Sequence, residues 1–237
     1  WTNGTPGPGF TASFASFGAI NNLTTDNIVS TNTTVLGLFY NTNNAGFRTT
    51  LIQNGVTLTV SNASTAIAAL VQVGGTSGGD NSFNTPVTNV ITGLGGKLLA
   101  IGNDPRTGGG ANQLNFQVRQ CANPAQPNQT TLDMSGLGTM IATVGKFYLA
   151  QGGSGAFQSN VTARVSLART NVITCLRPNA GQFEVGDSSG GLFTLPGSTL
   201  YLGITNALFM DTARFGKQKA TNNLISFNPV FTNGLIP

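Results

Sequence analysis

Residues 49–60, Thr49-Thr50-Leu51-Ile52-Gln53-Asn54-Gly55-Val56-Thr57-Leu58-Thr59-Val60, carry the strongest local signal in the chain. Two β-prone runs flank Asn54-Gly55, the dipeptide that best fills the two positive-φ positions of a type I′ hairpin turn. A hairpin in that register sets Leu51 opposite Leu58 and Gln53 opposite Val56. Leu51, Val56, Leu58 and Val60 then share a core face, and Ile52, Thr57 and Thr59 take the other.

Outward from this point the chain continues in short strand-like runs. Ile28–Tyr40 is rich in β-branched and aromatic residues, with Gly37 suited to a bulge or a close packing point. Residues 86–92 and 97–101 are strand-like around a glycine break at 93–96. Leu114, Phe116 and Val118 alternate with Asn115, Gln117 and Arg119; Val161, Ala163, Val165 and Leu167 are expected to face in and Thr162, Arg164 and Ser166 to face out. Residues 62–73 fit a short capped helix or a strand. The tail, 224–231, is apolar and broken by Pro229, which suits a sheet edge. Short strands at roughly 8–12-residue spacing, with turn residues between, predict an all-β fold: an antiparallel β-sandwich or jelly-roll-like domain with an extended N-terminal arm. No repeat of constant period is visible. The expected organisation is an arm over 1–20 and a body over 21–237, with a long loop or lobe boundary near 103–112.

Composition narrows the chemistry. Of 237 residues only 8% are charged, against about 25% in ordinary domains, and the polar surface falls to 26 Asn, 32 Thr and 32 Gly. With 39% hydrophobic residues the chain is not of the disordered type. Such a balance suits an extracellular or virion-surface protein. The net charge of +4 is scattered, Arg214, Lys217 and Lys219 being the one local cluster, so no nucleic-acid footprint is expected. Histidine is absent, which removes the usual general base and the commonest metal ligand. Cys121 and Cys175 fit one disulfide in an oxidising compartment, stabilising by roughly 4 kcal/mol in the chain-entropy picture; two separate buried thiols are the alternative. The longest apolar run, 66–71, is far too short for a membrane-spanning helix. The chain starts at Trp1 with no signal peptide, as expected of a processed, secreted protein.

No catalytic motif stands. Gly186-Asp187-Ser188-Ser189-Gly190-Gly191 approaches a serine-protease nucleophile loop, but it carries one serine too many and has no His to serve it. Glu184 is the only Glu, and Asp187 lies near it with nothing to mark convergence. Asp80, Asp104 and Asp133 sit among Asn and Gly without the spacing of a calcium loop. Six Asn-x-Ser/Thr sequons, at Asn3, Asn22, Asn32, Asn62, Asn128 and Asn160, are about what 26 Asn give by chance. No enzyme, cofactor or metal site is therefore expected.

Residues 9–20, Gly-Phe-Thr-Ala-Ser-Phe-Ala-Ser-Phe-Gly-Ala-Ile, follow a Gly/Pro-rich leader and carry no charge. Phe10, Ala12, Phe14, Phe17 and Ile20 form the candidate subunit interface, either donated to a neighbour's groove or kept in the chain's own sheet. The body has little charge with which to blunt its sheet edges, which favours strand addition between copies. The uncharged arm, the Asn/Thr/Gly-rich body and the single Cys pair resemble secreted β-sandwich subunits of surface filaments: chaperone–usher pilins, archaeal threads and TasA-like matrix fibres. That resemblance implies a structural subunit of an extracellular pilus or matrix fibre, a homopolymer assembled by N-terminal strand complementation. A virion capsid or fibre protein and a secreted carbohydrate-binding β-sandwich are the competing expectations. The latter is weakened by one Trp and three Tyr.

Overall fold

The computed structural model describes residues 9–14, 27–40, 46–62, 69–74, 87–102, 114–119, 128–151, 161–175, 181–187, 197–217 and 222–232. The strands follow one another around three faces. The first coil is β1 (Thr11–Phe14), β2 (Asn27–Val29) and β3 (Thr33–Val35), and the second is β4 (Gly37–Tyr40), β5 (Gly46–Ile52) and β6 (Thr57–Ser61). Next come β7 (Ala69–Val73) and the long β8 (Val87–Ile101), then β9 (Asn115–Arg119), β10 (Asn128–Asp133) and β11 (Leu137–Val144). The fifth coil is β12 (Lys146–Gln151), β13 (Val161–Ser166) and β14 (Thr170–Cys175). The sixth is β15 (Gln182–Asp187), β16 (Thr199–Leu202) and β17 (Thr205–Met210), and β18 (Thr212–Lys217), β19 (Leu224–Phe227) and a short helix α1 (Pro229–Thr232) end the fold.

Every strand pairs in parallel with the strand one coil away. β1, β4, β7, β9, β12, β15 and β18 build a seven-stranded sheet. The other twelve strands form a second sheet that β8 folds into two walls, because its first half pairs with β5 and its second half with β6. The result is a curled, half-barrel-like wall with the seven-stranded sheet packed into the same core. This overturns the expected antiparallel β-sandwich or jelly roll. Parallel neighbours need a long crossover, and here the other two faces of each coil supply it.

The Asn54-Gly55 turn shows why the expectation failed. Gly55 does have positive φ, 74°, but Asn54 does not, and the Val56 amide donates to the Gln53 carbonyl at 3.0 Å. Positive φ at the third turn position alone fits a type II turn, since I′ needs it at the second position as well. The turn is a corner, not a hairpin: β5 pairs with β2 and β8, β6 with β3 and β8, and never with each other. Changing walls at the corner also resets the faces. Ile52, not Leu51, is buried in the core, while Leu58 and Val60 point in as expected.

These corners stack. The Gln53 amide donates to the Val29 carbonyl, Gly55 to Gly95, Gly93 to Gly136, Arg169 to Leu137 and Thr205 to Arg169, all within 3.0–3.1 Å. Close stacking leaves no room for side chains: a Cβ on Gly93 would lie 1.8 Å from the Ile52 carbonyl oxygen. At the last corner Asn206 accepts from the Gly203 amide (3.1 Å) and from Asn171 Nδ2 (2.9 Å), and donates to the Gly203 carbonyl (2.8 Å).

One continuous core runs along the coil. Phe116, Phe147 and Phe183 occupy matching positions on successive coils and stack at 4.7 and 5.2 Å between ring centroids. The inner strands of the seven-stranded sheet are buried on both faces, all five residues of β7 included, as parallel sheets usually are. The segment 103–112 lies outside the described residues.

Candidate functional site

The face of the seven-stranded sheet opposite the phenylalanine stack carries the main polar constellation. Gln72, Gln117, Tyr148, Glu184 and Arg214 are register partners on β7, β9, β12, β15 and β18. In a parallel stack such partners lie roughly 4.8 Å apart, so each side chain reaches its neighbour. Gln72 Nε2 donates to the Gly74 carbonyl at 3.3 Å, Gln117 Nε2 to Gln72 Oε1, and the Tyr148 hydroxyl to Gln117 Oε1. Arg214 Nη1 donates to Glu184 Oε1 at 3.2 Å. All but Arg214 are buried.

Glu184 is buried and committed to Arg214, which is itself partly exposed. No group of three or more His, Cys, Asp or Glu able to hold a metal occurs among the described residues. A shallow groove of about 450 Å³ lies at the corner between the two walls, lined by Leu51, Gln53, Asn54, Leu94 and corner glycines. No charged side chain lines it. No helix among the described residues is long and apolar enough to cross a membrane.

The expected interface residues divide. Thr11–Phe14 pair in parallel with β4 of their own chain, with Ala12 opposite Leu38 and Phe14 opposite Tyr40. Ala12 is 4% exposed and belongs to the core, whereas Phe10 is 65% exposed. Phe17 and Ile20 lie outside the described residues. Cys175 is a buried thiol, unbonded in this structure, and its expected partner Cys121 lies outside the described residues. Burial pushes the Cys175 thiol up to about 12; a backbone hydrogen bond at Phe147 opposes the shift and Asp211 adds to it.

The two ends of the coil differ, a feature the sequence did not disclose. At the N-terminal end the inward residues Ala12, Val29 and Val35 are no more than 5% exposed. At the C-terminal end the core is open. Phe215 extends the buried column Val118–Leu149–Val185 and is 58% exposed; Phe227 on β19 is 57% exposed. Phe209, Leu224 and Val230 add to this apolar end. Among the described residues no strand pairs with the outer edges of β17, β18 and β19, nor with those of β1, β2 and β3 at the other end.

The polar column was discoverable as a recurring triplet: Val71-Gln72-Val73, Phe116-Gln117-Val118, Phe147-Tyr148-Leu149, Phe183-Glu184-Val185 and Ala213-Arg214-Phe215. Irregular spacing hides it from any search at fixed period. Comparison with family models, with curated proteins and with solved structures returned no match.

Proposed function

We propose that this protein is a non-catalytic structural subunit of an extracellular fibre, and that copies join by strand addition at a coil end. One observation carries the proposal: among the described residues the first and last coils each leave three outer strand edges unpaired, and the last adds a cluster of large exposed apolar side chains. An open apolar edge of this kind recruits further β-structure unless charge or proline blunts it. β17 and β19 contain no charged residue. The extracellular setting rests on composition, above all the 8% charged residues. Placement of Thr11–Phe14 on their own sheet favours joining at the coil end over donation of the N-terminal arm. The test is assembly in solution, followed by light scattering and electron microscopy, with a Phe215→Asp/Phe227→Asp variant alongside. The proposal expects wild-type protein to assemble and the variant to remain a folded monomer. A wild-type protein that stays monomeric at every concentration, or a variant that assembles equally well, overturns it.

A further inference from the structure

We infer that the last coil of one copy stacks on the first coil of the next. β18 then pairs in parallel with the next copy's β1, and β19 with its β2, so that one coil runs from copy to copy. This rests on the assembling role proposed above and specifies its partner and register. Among the described residues the outer edges of β1 and β2 are unpaired, as are those of β18 and β19. The two ends are different surfaces, so joining them is a heterologous contact that repeats without closing. A fibre needs that kind of contact. The end strands of the seven-stranded sheet also match in sequence: β1 reads Thr11-Ala12-Ser13-Phe14, and β18 opens Thr212-Ala213-Arg214-Phe215. They stand in the same columns. The column that starts at Ala12 and Leu38 runs through the stacked phenylalanines and ends at Ala213. Set in phase, Thr212 of one copy lies opposite Thr11 of the next, Ala213 opposite Ala12, and Phe215 opposite Phe14. The one unlike pair, Arg214 and Ser13, brings no second charge to Arg214.

The main chain is complementary in that phase. The Phe10 carbonyl accepts from the Leu36 amide at 2.8 Å, so alternation along β1 turns the main-chain groups of Thr11 and Ser13 toward its open edge. The Thr212 amide donates to the Gly181 carbonyl at 2.9 Å, which turns those of Ala213 and Phe215 toward the open edge of β18. In a parallel ladder a residue bonds to the two neighbours of its register partner. Ala213, opposite Ala12, therefore meets the outward groups of Thr11 and Ser13. A slip of one residue would lose this match and send every side chain to the other face. On the adjoining wall β19 lies along β2; neither strand carries a charge, and both expose apolar residues, Leu224 and Phe227 on one and Ile28 on the other. Uncharged edges of this kind accept a further strand. With β8 counted in both of its walls, the third wall has six strands against seven in each of the others. β17 and the next copy's β3 thus stand two strand spacings apart, and two walls make the joint.

Copies related in this way advance by seven strand spacings, about 34 Å, and electron microscopy of wild-type assemblies should show that axial repeat. Thr11→Cys and Thr212→Cys test the register, because parallel partners stand about 5 Å apart between Cα atoms, inside disulfide range. The two single variants, mixed before assembly and mildly oxidised, should give a covalent dimer of twice the 24.4 kDa chain. The double variant should give a ladder of multimers. Neither single variant alone should cross-link more than wild-type protein, the control for the native cysteines. Ser13→Arg, which sets a second cation against Arg214, should weaken assembly by roughly two- to fivefold, the scale of one cross-strand pair, and Ser13→Glu should not. Ser13 is exposed, so neither substitution disturbs the core. Assemblies in which the mixture gives no cross-link, in which Thr212→Cys alone gives one, or in which Ser13→Arg and Ser13→Glu act alike overturn the head-to-tail register. So does an axial repeat far from 34 Å. Each of these leaves the assembling role standing. A monomer at every concentration refutes both.

Discussion

Phe147→Ala removes the middle ring of the Phe116–Phe147–Phe183 stack, a fully buried apolar column of the core. Phe147 is fully buried on β12, with neighbours in register on both sides. Truncating a buried Phe costs about 3–5 kcal/mol, the lost transfer energy and the residual cavity together. Each near-parallel ring contact adds roughly 0.5–1.5 kcal/mol beyond buried area, and this substitution breaks two, which places the cost toward the top of that range. Whole-domain stability is typically about 5–15 kcal/mol, so the variant should be folded marginally or not at all. Urea unfolding followed by circular dichroism gives the difference directly. Phe215→Ala is the internal control: same residue type, same sheet, but 58% exposed at the open end, so its cost in the monomer should be about 1 kcal/mol or less. If Phe147→Ala costs no more than Phe215→Ala, the stacked column is not the spine of the fold.

Two further expectations are independent of that stack. Gly203→Ala should destabilise by about 1–3 kcal/mol, because its Cβ would lie 1.9 Å from the Ala168 carbonyl oxygen and 2.6 Å from Asn171 Nδ2; an unchanged thermal midpoint would refute the close stacking of the corners. Cys175 should resist thiol reagents near pH 8 and react at once on unfolding, since only the thiolate attacks and the folded pKa is pushed from 9.0 to about 12. By linkage, the unfolded chain loses this proton first, so stability attributable to Cys175 is complete below pH 9 and declines as the pH rises toward 12. Rapid labelling of the native protein would contradict its burial.

Strand content was legible and strand direction was not. The alternation at Leu114–Val118 and Ala163–Leu167 marks residues that share the core face, because side chains alternate with the same period whichever way the neighbouring strands run; Ser166, expected to face out, is buried as well, and so is Gln117 on the other face of its strand. Asn54-Gly55 then misleads: a tight turn with positive φ at Gly55 serves a corner as well as a hairpin. Distance along the chain decides between them. Register partners are 23 residues apart from Ile28 to Leu51 but 41 from Leu51 to Thr92, and 31 from Thr139 to Thr170. Coils of such unequal length leave no fixed period. Glu184 and Arg214 stand 30 residues apart, and only the parallel register makes them partners. The open end was equally hidden, since Phe215 lies in the same kind of triplet as the buried Phe183.

Backbone NMR contacts at Leu51 and Leu58 test the parallel coil most directly. The coil predicts cross-strand contacts from Leu51 to Ile28 and Thr92 and from Leu58 to Thr33 and Leu98, with none between Leu51 and Leu58. Strong contacts between Leu51 and Leu58, the signature of an antiparallel hairpin around Asn54-Gly55, would contradict it.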